Sequence, residues 1–126
     1  MEGMGIGFAY ASGQIVIAVL CGLMAHMTRL GQLERNGVIG LRTKATKSSD
    51  RAWQVGHDAA RPMLLLTSIT AAATAVVLIA AGGLHDDPNA QNAVPTWSLI
   101  VGYAVVVLLL TAAGVVADRA AKGASK

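Results

Sequence analysis

The sequence predicts an all-α integral membrane protein with three transmembrane helices and a cytoplasmic loop that contains a short interfacial helix. Two observations support this fold class. All ten Lys and Arg residues lie in two blocks, within residues 28–61 and 119–126, and long stretches without charge separate them. Charged residues make up 13% of the chain, against roughly 25% in an average soluble domain. Charge confined to the gaps between apolar runs is typical of bilayer-spanning chains.

Three apolar segments are long enough to cross a bilayer as helices, which requires roughly 20 residues each. These segments are residues 6–27, 63–84 and 97–117. The third is the most apolar and has VVVLLL at its centre. On the second, Ser68 and Ala72 form one of several pairs of small residues four positions apart, a spacing that favours close helix packing. We therefore expect one membrane domain over residues 1–126.

The placement of cations also predicts the orientation. The segment of residues 28–61 contains seven Lys or Arg residues, whereas residues 85–96 contain none and carry Asp86 and Asp87. Short loops rich in Lys and Arg stay on the cytoplasmic side. We therefore expect a bacterial inner-membrane protein with its N-terminus outside and its C-terminus in the cytoplasm. Because Arg29 follows the first span and no cation precedes it, a cleaved signal peptide is not favoured.

The composition argues against several classes of function. The three spans contain no ionisable group at mid-depth, so an ion or proton transporter is not favoured. No metal site is expected, because His26, His57 and His85 fall on different sides of the predicted membrane. No arrangement of catalytic residues or cofactor motif is recognisable, so we expect no enzyme and no cofactor. The positive-inside bias explains the pI of 9.4, and no nucleic-acid partner is expected.

The segment of residues 28–61 is too long to be a plain connector between helices, which usually takes about 2–8 residues. Its first half lacks a helical period and is predicted to be irregular. Ser48, Ser49 and Asp50 then offer an N-cap and a first-turn acid for a helix that runs to about Ala60. We expect this helix to lie on the inner membrane surface with Trp53 at headgroup depth, and Pro62 to begin the second span.

The same segment carries Asn36, then GLRT at residues 40–43, and later Trp53 and His57 with Ala60 after them. This pattern resembles the signature of the SdpI/YhfL family of small bacterial membrane proteins. The arrangement of one apolar helix before this signature and two after it is also similar. The chain departs from the family pattern at Asp58, where members commonly carry Arg. The signature covers residues 36–60, and the wider resemblance covers most of the chain.

The resemblance implies a non-catalytic role. The best-known member of the family is an immunity protein that protects a bacterium from its own membrane-active toxin. We therefore expect immunity or resistance to membrane-active toxins or envelope stress. An accessory structural subunit of a larger bacterial membrane complex, bound through its helices and its basic loop, is the alternative. The expected partners are anionic lipid headgroups at the cytoplasmic face and either another membrane protein or a second copy of the chain.

The candidate binding residues are those of the family signature. Arg42 and the hydroxyls of the loop could together bind a lipid phosphate or a carboxylate of a partner, or the cations could interact diffusely with headgroups. Trp53 and His57, four residues apart, could form a docking surface, or Trp53 could be an interfacial anchor while His57 caps or bonds a loop carbonyl. We expect the loop to fold beneath the bundle and Arg42 to stack on Trp53 or reach a phosphate. The full candidate set is Asn36, Gly40, Arg42, Thr43, Thr46, Trp53 and His57.

Overall fold

The structure is a computed structural model that describes residues 2–84 and 96–124. Its elements are α1 (Glu2–Arg29), a 3₁₀ helix (Thr46–Ser48), α2 (Asp50–Leu84) and α3 (Thr96–Ala124). The described residues contain no strand, and three helices are long and apolar enough to cross a membrane: Gly5–Arg29, Asp50–Gly83 and Trp97–Ala124. The all-α, three-helix prediction is confirmed. The predicted acidic loop lies, apart from Thr96, outside the described residues.

Helix α2 packs along both of its neighbours, and small residues bring the backbones close together. A Cβ atom added to Gly7 of α1 would lie 2.7 Å from the carbonyl oxygen of Leu78. On the other side, a Cβ atom on Gly102 of α3 would lie 2.8 Å from the Thr74 side chain. Since the lipid does not drive helices together, such close approaches supply the packing energy of a membrane bundle. The contacts also show that α2 is antiparallel to α1 and α3.

Side-chain hydrogen bonds cross between the helices of the bundle. The Ser68 hydroxyl donates to the carbonyl oxygen of Ala18 at 2.7 Å. The Tyr103 hydroxyl of α3 donates to the carbonyl oxygen of Tyr10 at 2.7 Å, and its ring packs over Gly13. Each bond satisfies a hydroxyl that would otherwise lie in an apolar surrounding. They fix how far the three helices are shifted along one another.

The predicted short helix after Asp50 does form, but it does not end near Ala60. It continues without a break through Pro62 into the second span, so α2 has 35 residues. The N-cap lies within the predicted stretch of residues 48–50, at Ser49, whose hydroxyl accepts a hydrogen bond from the Ala52 N–H at 3.0 Å. A proline usually interrupts a helix because it lacks an N–H. Here packing on both sides of Pro62 holds the helix together, and Gly56 lies directly against α3.

The length of α2 places its first part beyond the hydrocarbon. At 1.5 Å per residue, the charge-free residues 62–83 cover about 33 Å, close to the roughly 30 Å of a bilayer core. The preceding turns, from Asp50 to Arg61, therefore extend past the core at the end of the bundle where α1 and α2 are joined. We call this the loop end. A cluster of buried residues there includes Met24, Leu33 and Trp53.

Candidate functional site

The loop between α1 and α2, residues 30–49, is irregular but tightly hydrogen-bonded. Asn36 organises its first turn. The Asn36 side-chain oxygen accepts the backbone N–H groups of Val38 and Ile39 at 2.8 and 2.7 Å, and its amide nitrogen donates to the carbonyl oxygens of Glu34 and Ile39. Asn is suited to this role because its short side chain bonds to nearby backbone. The residue therefore shapes the loop from its own exposed position.

Gly40 lies directly on the aromatic side chains of α2. Its φ angle is 133°, a conformation that a residue with a Cβ atom rarely adopts. A Cβ atom at this position would also lie 2.6 Å from two ring carbons of Trp53 and 3.0 Å from the Nε2 atom of His57. Both the backbone angle and the available space therefore require glycine. This contact folds the loop back beneath the bundle, as expected from the sequence.

Trp53 is an internal anchor of the loop. Its side chain is 1% exposed, and its indole Nε1–H donates to the carbonyl oxygen of Leu33 at 2.9 Å. The Trp53 and His57 rings lie 4.3 Å apart and are tilted by 34°. The expectation of a helix along the membrane surface with Trp53 at headgroup depth is wrong, because α2 continues into the second span and the loop covers the Trp53 side chain. Trp53 is therefore an anchor inside the protein and not at the membrane interface.

His57 joins the loop to α2 through both of its ring nitrogens. Its Nδ1 lies 2.8 Å from the carbonyl oxygen of Trp53, and its Nε2 lies 2.8 Å from the backbone nitrogen of Leu41. A carbonyl accepts and an amide N–H donates, so the ring is neutral with its proton on Nδ1. Burial is the largest influence and lowers the pKa of His57 below 6.5, although the Trp53 carbonyl and the Asp58 carboxylate act in the opposite direction.

Thr43 and Thr46 close the second turn of the loop. The Thr46 hydroxyl is completely buried and donates to the carbonyl oxygen of Leu41 at 2.7 Å, while it accepts the Thr43 N–H at 2.9 Å. The Thr43 hydroxyl in turn accepts the Thr46 N–H at 3.2 Å. With its hydroxyl used in this way, Thr46 contributes to the turn and not to an open anion pocket.

The third helix also contacts this turn. Asp118 of α3 is hydrogen-bonded to Lys122 and to Thr43, and these bonds lower the pKa of its carboxyl group. A Cβ atom on Gly56 of α2 would lie 2.9 Å from the carbonyl oxygen of Ala117. The sequence analysis did not identify Asp118 as part of the site. The available signal was an acidic residue directly after the third span, beside the basic tail.

The cations of the loop end differ in their surroundings. Arg35 is tied down: its Nε lies 3.1 Å from the Asp50 carboxylate and its Nη1 donates to the carbonyl oxygen of Lys47. Arg42 is exposed, and its side chain has no hydrogen bond or ion pair with any described residue. It does not stack on Trp53, because Gly40 and His57 occupy the neighbourhood of that ring.

The structure thus brings six of the seven candidate residues together as the internal framework of one loop, and it leaves Arg42 on the surface. The binding role of the set stays a prediction. Among residues 2–84 and 96–124, no group of three His, Cys, Asp or Glu side chains is placed to hold a metal ion. The polar atoms that the signature contributes are mostly engaged within the loop, so Arg42 is its member best placed to contact a partner.

Comparison with known proteins gives one result. The model of a family described as the SdpI/YfhL protein family matches residues 32–117, which contain nearly all of the loop, the whole of α2 and most of α3. No curated protein and no solved structure matches the chain. The match contains all seven candidate residues.

Proposed function

Because the chain belongs to the SdpI/YfhL protein family, a family of membrane proteins, we propose that it is a non-catalytic multi-pass protein that confers immunity or resistance to membrane-active toxins or envelope stress. The observation that supports the proposal most directly is the construction of the loop. The buried contacts among Gly40, Trp53 and His57 hold it in one conformation and present Arg42 at the surface. A fixed surface of this kind suits recognition of a partner, because little conformational freedom is lost on binding.

The internal hydrogen bonds favour binding over catalysis. A general base or nucleophile needs a free lone pair or hydroxyl near the substrate. Both nitrogens of His57 bond to backbone groups, and the Thr46 hydroxyl is buried within its turn. The chemically versatile residues of the signature are therefore occupied with holding the loop.

We further propose that the loop end faces the cytoplasm of a bacterial inner membrane. Asp118 contacts Thr43, so the end of α3 lies beside the loop. The tail cations, which include Arg119 and Lys122, consequently lie at the same end of the bundle as the cations of the loop. The positive-inside rule assigns such an end to the cytoplasm. Labelling a single cysteine at Asn89 in intact cells tests this: labelling only after the membrane is broken would contradict the orientation.

The functional test is deletion followed by complementation. Loss of the protein should sensitise cells to a membrane-active peptide or to envelope stress, and wild type should restore resistance. The variant Arg42→Lys keeps the charge but loses the planar guanidinium, so we expect it to fail nearly as completely as Arg42→Ala. Lys47→Ala, which removes an exposed cation of the same loop, is the matched control and should remain active.

Membrane abundance must be equal in all these strains. If Arg42→Lys then protects as well as wild type, bulk positive charge suffices and a specific role for Arg42 is excluded. If the deletion strain shows no sensitivity to any membrane-active agent, the resistance function itself is excluded.

A role as an accessory subunit is the second candidate, and one feature favours it. A groove of about 480 Å³ runs between α2 and α3 on the outside of the bundle. Small or short residues such as Ala73, Thr74 and Gly102 form its floor, and exposed Ile69 and Trp97 flank it. Such a groove suits another transmembrane helix. Stoichiometric co-purification with a larger assembly in mild detergent would favour this function, and a chain that purifies alone would count against it.

A further inference from the structure

A polar cavity of about 290 Å³ lies at the loop end, between the last turn of α1 and the first turns of α2. It is separate from the Gly40 contact, although His57 borders both. The volume is near the lower limit of typical ligand sites, about 300 Å³. The lining residues used in the argument below are Thr28, Arg29, Gln54 and Asp58.

The cavity contains a polar group that lacks a partner. The Thr28 side chain is 8% exposed, and its hydroxyl has no hydrogen bond in the structure. A buried polar group without a partner costs roughly 1–3 kcal/mol and is rare in folded proteins. The cavity therefore offers a hydroxyl that a ligand with acceptor oxygens would satisfy.

The charges around the cavity are of both signs and are not paired with each other. Arg29 lies on α1 and Asp58 on α2, and neither forms a salt bridge with another described side chain. A simple anion would be attracted by Arg29 but repelled by Asp58, and a simple cation would be attracted by Asp58 but repelled by Arg29. A ligand with one negative and one positive group can pair with both side chains. Gln54 adds an amide that can donate and accept.

The position of the cavity limits the source of such a ligand. The hydrocarbon-spanning part of α2 begins near Pro62, so Asp58 lies about one helical turn, roughly 6 Å, outside it. This is the depth of phospholipid headgroups. A phosphoryl group joined to a primary ammonium is the headgroup of phosphatidylethanolamine.

From these observations we propose that this cavity binds the headgroup of a phosphatidylethanolamine lipid, with its phosphate accepting from Thr28 and Arg29 and its ammonium donating to Asp58. The proposal is independent of the resistance function. It requires only the contacts of α1 and α2 at the loop end.

The test is lipid binding to the delipidated full-length protein in detergent, measured by native mass spectrometry. Phosphatidylethanolamine and phosphatidylcholine with identical acyl chains are compared. The two share the phosphate, but the quaternary ammonium of choline has no N–H to donate. Because Asp58 is exposed, the ammonium contact should give about a threefold to fivefold preference for the ethanolamine lipid.

Two variants separate the two halves of the headgroup. Asp58→Asn should bring the affinities for the two lipids to within about twofold of each other. Thr28→Val removes the hydroxyl but keeps the shape of the side chain, and it should lower the affinity for both lipids equally. Glu34→Gln changes an exposed carboxylate outside this cavity, and as the matched control it should keep the full preference.

Equal affinity of the wild type for both lipids would overturn the proposal, and so would a preference that survives Asp58→Asn. The same assay also measures binding of soluble phosphoethanolamine. If it binds as tightly as the lipid, the site recognises a soluble molecule and the assignment to a lipid is excluded. A thermal unfolding curve confirms that each variant is folded.

Discussion

The helical bundle and the loop are held together by different means. Inside the bundle, helices approach through small residues such as Gly7 and Gly102, and side-chain hydrogen bonds such as that of Ser68 add to this packing. In the loop, side-chain hydrogen bonds of Asn36, Thr46 and His57 to backbone groups hold the conformation. Many different sequences can pack helices through small residues, whereas a hydrogen-bonded turn needs specific side chains.

This difference explains why the recognisable signature lies in the loop. Three signature residues have roles that similar amino acids fill poorly. Gly40 is needed for its backbone angle, Trp53 for its indole N–H, and His57 for one donor and one acceptor on a rigid ring. The bundle carries no such set among the described residues. The predictions below compare the two regions by single substitutions.

The largest effect is expected at Gly40. Gly40→Ala introduces a side chain at a φ of 133° and within 2.6 Å of Trp53, so backbone strain and overpacking add to about 3 kcal/mol or more of lost unfolding free energy. Gly37→Ala is the matched control, because a Cβ atom there meets nothing within 4 Å. Denaturant titration in detergent measures both. A stable Gly40→Ala protein would show that the loop is loosely held.

The second effect tests the bundle. Gly7→Ala places a Cβ atom 2.7 Å from the Leu78 carbonyl oxygen, and the helices must separate to admit it, at a cost of about 2 kcal/mol. Gly5→Ala, two residues earlier on the same helix, meets open space and should change stability by less than about 0.5 kcal/mol. The same titration compares them. Equal stability of the two variants would contradict the close crossing of α1 and α2.

The bundle was also the more predictable region from sequence. Charge-free stretches predict the spans because crossing a bilayer depends on the length and average hydrophobicity of a helix and not on any single residue. The loop depends on contacts between residues far apart in the chain. Nothing near Trp53 in sequence shows that Gly40 covers it, and nothing near Thr43 shows that Asp118 reaches it. The burial of Trp53 was therefore missed.

The continuity of α2 was missed for a related reason. The prediction placed a boundary at Pro62 because a proline lacks the N–H that a helix interior uses. That local rule is outweighed by tertiary contacts on either side, with Gly56 packed on α3 and Leu64 completely buried in the core of the loop end. The N-cap, in contrast, was predicted correctly to lie within residues 48–50, because an N-cap is a local interaction.

A smaller and pH-dependent effect is expected at His57. Its folded-state pKa is below its unfolded value of 6.5, so the unfolded chain binds a proton more readily. Unfolding free energy should therefore fall as pH drops from about 6.5 toward the folded-state pKa, and it should level off below that. His57→Gln retains an acceptor for Leu41 but does not titrate. Its stability should be lower at pH 7.5 and should lose this part of the pH dependence; an unchanged pH profile would contradict a neutral, buried His57.

The smallest effect is expected for a hydrogen bond inside the bundle. Ser68→Ala removes the bond to the Ala18 carbonyl oxygen, and interhelical bonds of this kind contribute about 0.6 kcal/mol on average in a membrane bundle. Ser12→Ala removes a bond of the same length that stays within α1, to the Ala9 carbonyl oxygen, and it should change stability by less. The difference between the two variants, measured in detergent, isolates the interhelical part. A loss at Ser68 as large as that at Gly40 would mean that the bundle, like the loop, depends on specific hydrogen bonds, and the contrast between the two regions would not hold.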